Sequence, residues 1–75
     1  MPTIIEIAGV KIQMFYGDHN PPHVHAYGGG YAALIRIEDG EFLVGSIPAA
    51  KRRRVLAWIA EHRTELMVLW QQYTM

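Results

Sequence analysis

The apolar positions of this chain change period once. Up to about residue 45 they fall in short runs rich in β-branched and aromatic residues, separated by Gly, Pro, Asp and Asn. From Ser46 onward they recur at helical spacing, and no Gly or Pro interrupts residues 49–75. Runs of the first kind predict strands, with hairpins at the turn residues between them. Residues 3–8 form one strand. Gly9-Val10 fits a two-residue hairpin turn with Gly in its first central position. Residues 11–16 follow, with Ile12, Met14 and Tyr16 on one face. Residues 17–22 (Gly-Asp-His-Asn-Pro-Pro) have loop composition, because Pro donates nothing to a ladder. Residues 23–27 and 31–38 are strands around the three glycines 28–30. Asp39-Gly40 is a hairpin signal, and residues 41–45 make a further strand.

The second period predicts one long helix over residues 48–73. Ser46 can cap it, and Pro48 is tolerated in its first turn. At 100° per residue Val55, Ile59, Leu66, Leu69, Trp70 and Tyr73 form one stripe, with Leu56 and Trp58 at its margins. A straight helix of that length measures about 39 Å, whereas a compact domain of this size is about 30 Å across. The helix therefore overhangs its sheet or bends. Met67 lies at the edge of the stripe and Val68 points away from it, which fits a partner or dimer surface and equally a frayed C-terminus with scattered apolar residues. The whole pattern predicts a single α+β domain over residues 1–75: an antiparallel sheet of four to five short strands packed against one long C-terminal helix.

Chain length sharpens the question of what holds this domain together. A chain of 75 residues buries only roughly 60% of the surface it exposes when unfolded. Domains this small usually add a disulfide, a metal or a partner subunit. There is no cysteine, which removes disulfides, thiolate zinc sites and thiol redox chemistry. A metal would have to be held by His and carboxylates. The formal net charge is zero, which argues against bulk attraction to nucleic acid and leaves only local patches to supply it. No apolar run approaches the roughly 20 residues of a membrane span, and no leader pattern opens the chain. These features predict a cytoplasmic protein.

Three of the four histidines fall in the segment Asp18-His19-Asn20-Pro21-Pro22-His23-Val24-His25. In a strand His23 and His25 share a face, and the two prolines stiffen the approach of Asp18 and His19. If residues 28–30 form a three-residue loop, Tyr27 pairs with Tyr31, His25 with Ala33 and His23 with Ile35. The two histidines then lie on the sheet face that meets the helix, with Ile35, Ile37, Phe42 and Val44. A one-residue slip would change these partners but not the face the two histidines share. His62 sits in the helix stripe between Ile59 and Leu66 and needs a polar partner. The cluster can supply one; a backbone carbonyl is the simpler alternative. His19, His23 and His25, with Asp18 and His62, make a candidate set for a divalent metal such as zinc. His23 and His25 could instead serve as general acid and base, as in metal-free RNA cleavage.

Lys51-Arg52-Arg53-Arg54 lies in the first turns of the helix, where the dipole disfavours cations but favours a bound anion. Four adjacent cations form a collar suited to phosphate, RNA or DNA, or else a solvated face with snorkelling stems. Tyr16, Tyr27 and Tyr31 could offer stacking surfaces for single-stranded RNA, but aromatic residues at strand spacing are more often core.

Met1-Pro2-Thr3-Ile4, the segment Asp18-His19-Asn20-Pro21-Pro22-His23-Val24-His25, and Glu61-His62-Arg63-Thr64-Glu65-Leu66 with Trp70 resemble the bacterial domain-of-unknown-function family 4160. The resemblance runs over nearly the whole chain. It implies a small bacterial protein encoded beside a second small protein, in pairs of toxin–antitoxin type. It marks Asp18, His19, Pro21, Pro22, His23, His25 and His62 as the functional surface and does not extend to the basic run. The lead expectation is a partner-binding protein with a His-rich site for a divalent metal or an anion. The alternatives are a small ribonuclease using the histidine pair, and a structural protein with no site.

Overall fold

A computed structural model describes the backbone of residues 3–15 and 17–74, and side chains from residue 5 on. Met1, Pro2 and Tyr16, named above, lie outside the described residues. Five strands form one sheet in the order β1-β2-β3-β4-β5, each antiparallel to its neighbour. They are β1 (Thr3–Ile7), β2 (Val10–Gln13), β3 (His23–Gly28), β4 (Tyr31–Arg36) and β5 (Phe42–Ser46). Two helices follow, α1 (Ala49–Glu61) and α2 (Arg63–Thr74). The α+β class and the antiparallel sheet agree with the sequence pattern.

The single long helix does not form. The longest dimension of the molecule is 34 Å, shorter than the straight helix the periodicity implied. The break falls at His62, whose φ of −114° and ψ of 21° leave the helical region. Its N–H is shared between the carbonyls of Trp58 and Ile59. Bending there buries Val55 and Ile59 of α1 together with Leu66 and Trp70 of α2. One core thus holds both helices and the sheet residues Val10, Ile12, Val24, Ala26, Ala33 and Ile35.

The register also differs from expectation. Ala8-Gly9, not Gly9-Val10, form the first turn, since Ile7 pairs with Val10. Both turn residues have positive φ, as a two-residue type I′ turn requires. At the second hairpin Gly28 pairs with Tyr31, so the loop is two residues, Gly29-Gly30. His25 therefore faces Leu34 and Val24 faces Ile35. Val24 and Ala26 turn to the core, and His25 and Tyr27 turn to the opposite, outer face of the sheet. His23 has the same parity as His25 but lies at the first position of β3, where Trp70 covers it.

Candidate metal centre

The loop between β2 and β3 is tied down at both ends. The Gly17 N–H donates to the Tyr73 carbonyl at the end of α2 (2.9 Å). Gly17 has a φ of +73°, a conformation that favours glycine. At the other end the Ile37 N–H donates to the Pro22 carbonyl (3.1 Å). The Asn20–Pro21 peptide bond between these ties is cis. The fastened loop returns Asp18 over the start of β3.

One carboxylate oxygen then serves two rings. Asp18 Oδ2 lies 2.9 Å from His25 Nε2 and 3.0 Å from His23 Nε2. The other oxygen, Oδ1, accepts the His19 backbone N–H at 3.2 Å. Asp18, His23 and His25 each offer a ligand atom, and these atoms lie within 4.8 Å of one another.

His23 Nδ1 is 2.7 Å from the Pro21 carbonyl oxygen. A carbonyl only accepts, so Nδ1 carries hydrogen. In a neutral imidazole the second nitrogen is then a lone pair, and His23 Nε2 would confront the Asp18 carboxylate acceptor to acceptor. The contact becomes attractive when a metal ion is bound by both groups. Burial pushes the Asp18 carboxyl up. The hydrogen bond from His25, the charge of His23, the His19 N–H and the charge of His25 outweigh burial and hold it below the ordinary carboxylate range.

The surroundings fix the two rings. Trp70 packs on His23 with centroids 5.2 Å apart, and His23 lies at the same distance from the His25 ring. Phe15 packs on His25 at 4.1 Å. Beyond His25, on the outer face, is a mostly apolar hollow of about 260 Å³ lined by Phe15, Tyr27, Ala32, Leu34 and Val44. A ring nitrogen fixed by a backbone carbonyl, as the Pro21 carbonyl fixes His23 Nδ1, leaves the other nitrogen for a metal, which is how metal-ligating histidines are usually held.

The residues singled out from sequence divide clearly. Asp18, His23 and His25 come together. His19 stays beside them, with its side chain 92% exposed and Nδ1 3.7 Å from Asp18 Oδ1. His62 does not join them: its Nδ1 donates to the Trp58 carbonyl at 2.9 Å, and its ring stacks on Trp58 at 4.3 Å. The basic run splits as well. Lys51 Nζ donates to the Ala8 carbonyl (2.9 Å) and lies over the Tyr31 ring, and Arg52 donates to the Ile47 carbonyl and lies over Phe42. Arg53 and Arg54 are exposed. Met67 packs at the edge of the core, while Val68 is 50% exposed. Phe15 on His25 carried no signal in the sequence. On His23 two contributors were also not anticipated, the Pro21 carbonyl and the Trp70 ring. The prolines and the helix stripe drew attention to these residues, but only the folded loop and the bend at His62 bring them onto His23. Among the described residues no helix is long and apolar enough to cross a membrane.

Residues 9–71 match the model of a family described as a domain of unknown function, DUF4160. No curated protein and no solved structure matches the chain.

Proposed function

The chain belongs to the DUF4160 family, and from its site we propose a small partner-binding protein that holds a divalent metal through Asp18, His23 and His25. One observation carries the metal: His23 Nε2 and Asp18 Oδ2 stand 3.0 Å apart, while the Pro21 carbonyl engages the other His23 nitrogen. Two imidazoles and a carboxylate suit zinc and other first-row divalent ions. The metal would fasten the loop of residues 17–22 to β3 and, through His23 and Trp70, to α2. It thereby supplies the staple that a cysteine-free domain of this size lacks.

The outer sheet face supports the partner. Val44 there is 61% exposed beside Leu34 and the hollow next to His25. The occupant in this proposal is the second protein of a two-gene, toxin–antitoxin-like pair, or a second copy of the chain, in the bacterial cytoplasm.

The test is metal content of tag-free protein by mass spectrometry, followed by zinc titration with thermal melting. About one equivalent per chain is expected. Zinc at 100 times its Kd adds about 2.7 kcal/mol, or roughly 10–20 °C in Tm for a domain of this size. His25→Ala should abolish the shift. No bound metal and no shift would sink the proposal.

One observation favours an acid–base alternative: the Asp18 carboxylate orients His25 at 2.9 Å next to the hollow. RNA hydrolysis lost in His25→Ala, with zinc irrelevant to the rate, would favour it. A phosphate would have to be gripped by Arg53 and Arg54, since Lys51 and Arg52 already have backbone partners.

A further inference from the structure

Three protein ligands leave a metal site open, and an open position is what catalytic zinc keeps for water or substrate. A structural zinc site has four. We infer that His19 is the fourth ligand and closes this site around zinc. The inference rests on the three-ligand site proposed above and decides what kind of site it is.

His19 follows Asp18 directly, so its backbone is held at the cluster whatever its side chain does. Its N–H bonds Asp18 Oδ1, and Oδ2 is the oxygen that faces the other two rings. Its ring centroid is 6.5 Å from that of His23, and its Nδ1 is already 3.7 Å from the Asp18 carboxylate. The side chain is almost fully exposed, so little packing holds it in place. Rotating an exposed side chain takes picoseconds to nanoseconds, and ordering it costs only the rotamer freedom of one short side chain. One added zinc–nitrogen bond outweighs that. The other sides of the cluster are occupied: Trp70 covers His23, and Phe15 packs on His25. Apart from the hollow beside His25, whose lining offers no further imidazole or carboxylate, the solvent side, where His19 stands, is the remaining approach. Three imidazoles and one carboxylate then complete a tetrahedral set, with His19 swinging in as the metal enters.

Cobalt(II) substitution of the full chain tests this, with azide as the probe for an open position. The wild type is expected to bind one cobalt with the intense visible bands of tetrahedral coordination, and azide should leave them unchanged. His19→Ala keeps the backbone N–H on Asp18. It should melt like the wild type without metal, bind cobalt and zinc about tenfold or more weakly, and respond to azide. If His19→Ala matches the wild type in affinity and in its azide response, His19 is not a ligand and the three-ligand site stands alone. If the wild type binds neither cobalt nor zinc while remaining folded, the metal site falls and this inference with it.

Discussion

His23 Nε2 lies 3.0 Å from Asp18 Oδ2, and the hydrogen that would ordinarily join a neutral ring to a carboxylate is committed elsewhere, to the Pro21 carbonyl. A metal ion bound by both groups would turn that contact from acceptor against acceptor into an attraction. Asp18 is therefore the residue on which metal binding and acid stability both turn.

Acid stability follows from the sign of the Asp18 shift. Burial raises its carboxyl, and the bonds and charges of His25, His23 and His19 lower it further than burial raises it. A carboxyl held below its ordinary value of 3.8 adds stability above that pH. The contribution is lost as pH falls through the lower, folded value. Metal-free protein should therefore lose melting temperature progressively below about pH 4. Asp18→Asn should make that slope shallower and remove zinc binding. An identical acid limb in the two proteins would show that Asp18 gains nothing from the histidines.

His62 gives the opposite expectation. It bonds and stacks within its own helix turn, on Trp58, and stands outside the cluster. His62→Ala should bind zinc within about twofold of the wild type. It should lose about 1 kcal/mol of stability, the worth of one net hydrogen bond, as read by urea unfolding. A tenfold loss of zinc affinity would place His62 among the ligands after all.

The sequence carried the candidate site further than it carried the fold around it. Asp18, His23 and His25 stood out because their spacing and the two prolines limit where the loop can go. The face they occupy was not legible, because it depends on whether two or three glycines make the turn at residues 28–30. In a strand of period two, that single residue flips β3 relative to β4. It moves His25 from opposite Ala33 to opposite Leu34 and turns Val24 and Ala26 to the core. The helix break was half legible. A helix longer than the domain must overhang or bend, yet no Gly or Pro marks residue 62. The bend occurs where a side chain can bond the preceding turn, which helical periodicity does not encode.

The edge strand β5 depends on one glycine. Gly45 has a φ of +69°, and a Cβ there would collide with the Ala32 carbonyl oxygen. That oxygen belongs to the backbone of β4 and cannot move aside without breaking the β4–β5 ladder. The left-handed conformation alone costs a non-glycine residue about 1–2 kcal/mol. With the clash added, Gly45→Ala should lose about 3 kcal/mol or more, a lowering of Tm by well over 10 °C. A loss under 1 kcal/mol would mean that β5 can shift freely along the sheet edge.

The basic run should separate into two functions under mutation. Lys51 reaches across the fold to the Ala8 carbonyl in the β1–β2 turn and lies over the Tyr31 ring, so its charge fastens α1 to the far side of the sheet. Lys51→Ala removes one hydrogen bond to a charged donor, worth about 1.5 kcal/mol, and should lower Tm by several degrees at any ionic strength. Arg53 and Arg54 are exposed, so Arg53→Ala and Arg54→Ala should stay within about 0.5 kcal/mol of the wild type. If the chain binds RNA through this end of α1, these two changes should weaken binding. They should also reduce its salt dependence by about one unit of slope for each phosphate no longer neutralised. Filter binding across a salt series, set beside the melting curves, reads both effects. Stability lost with Arg53 and Arg54 but retained with Lys51 would reverse the assignment.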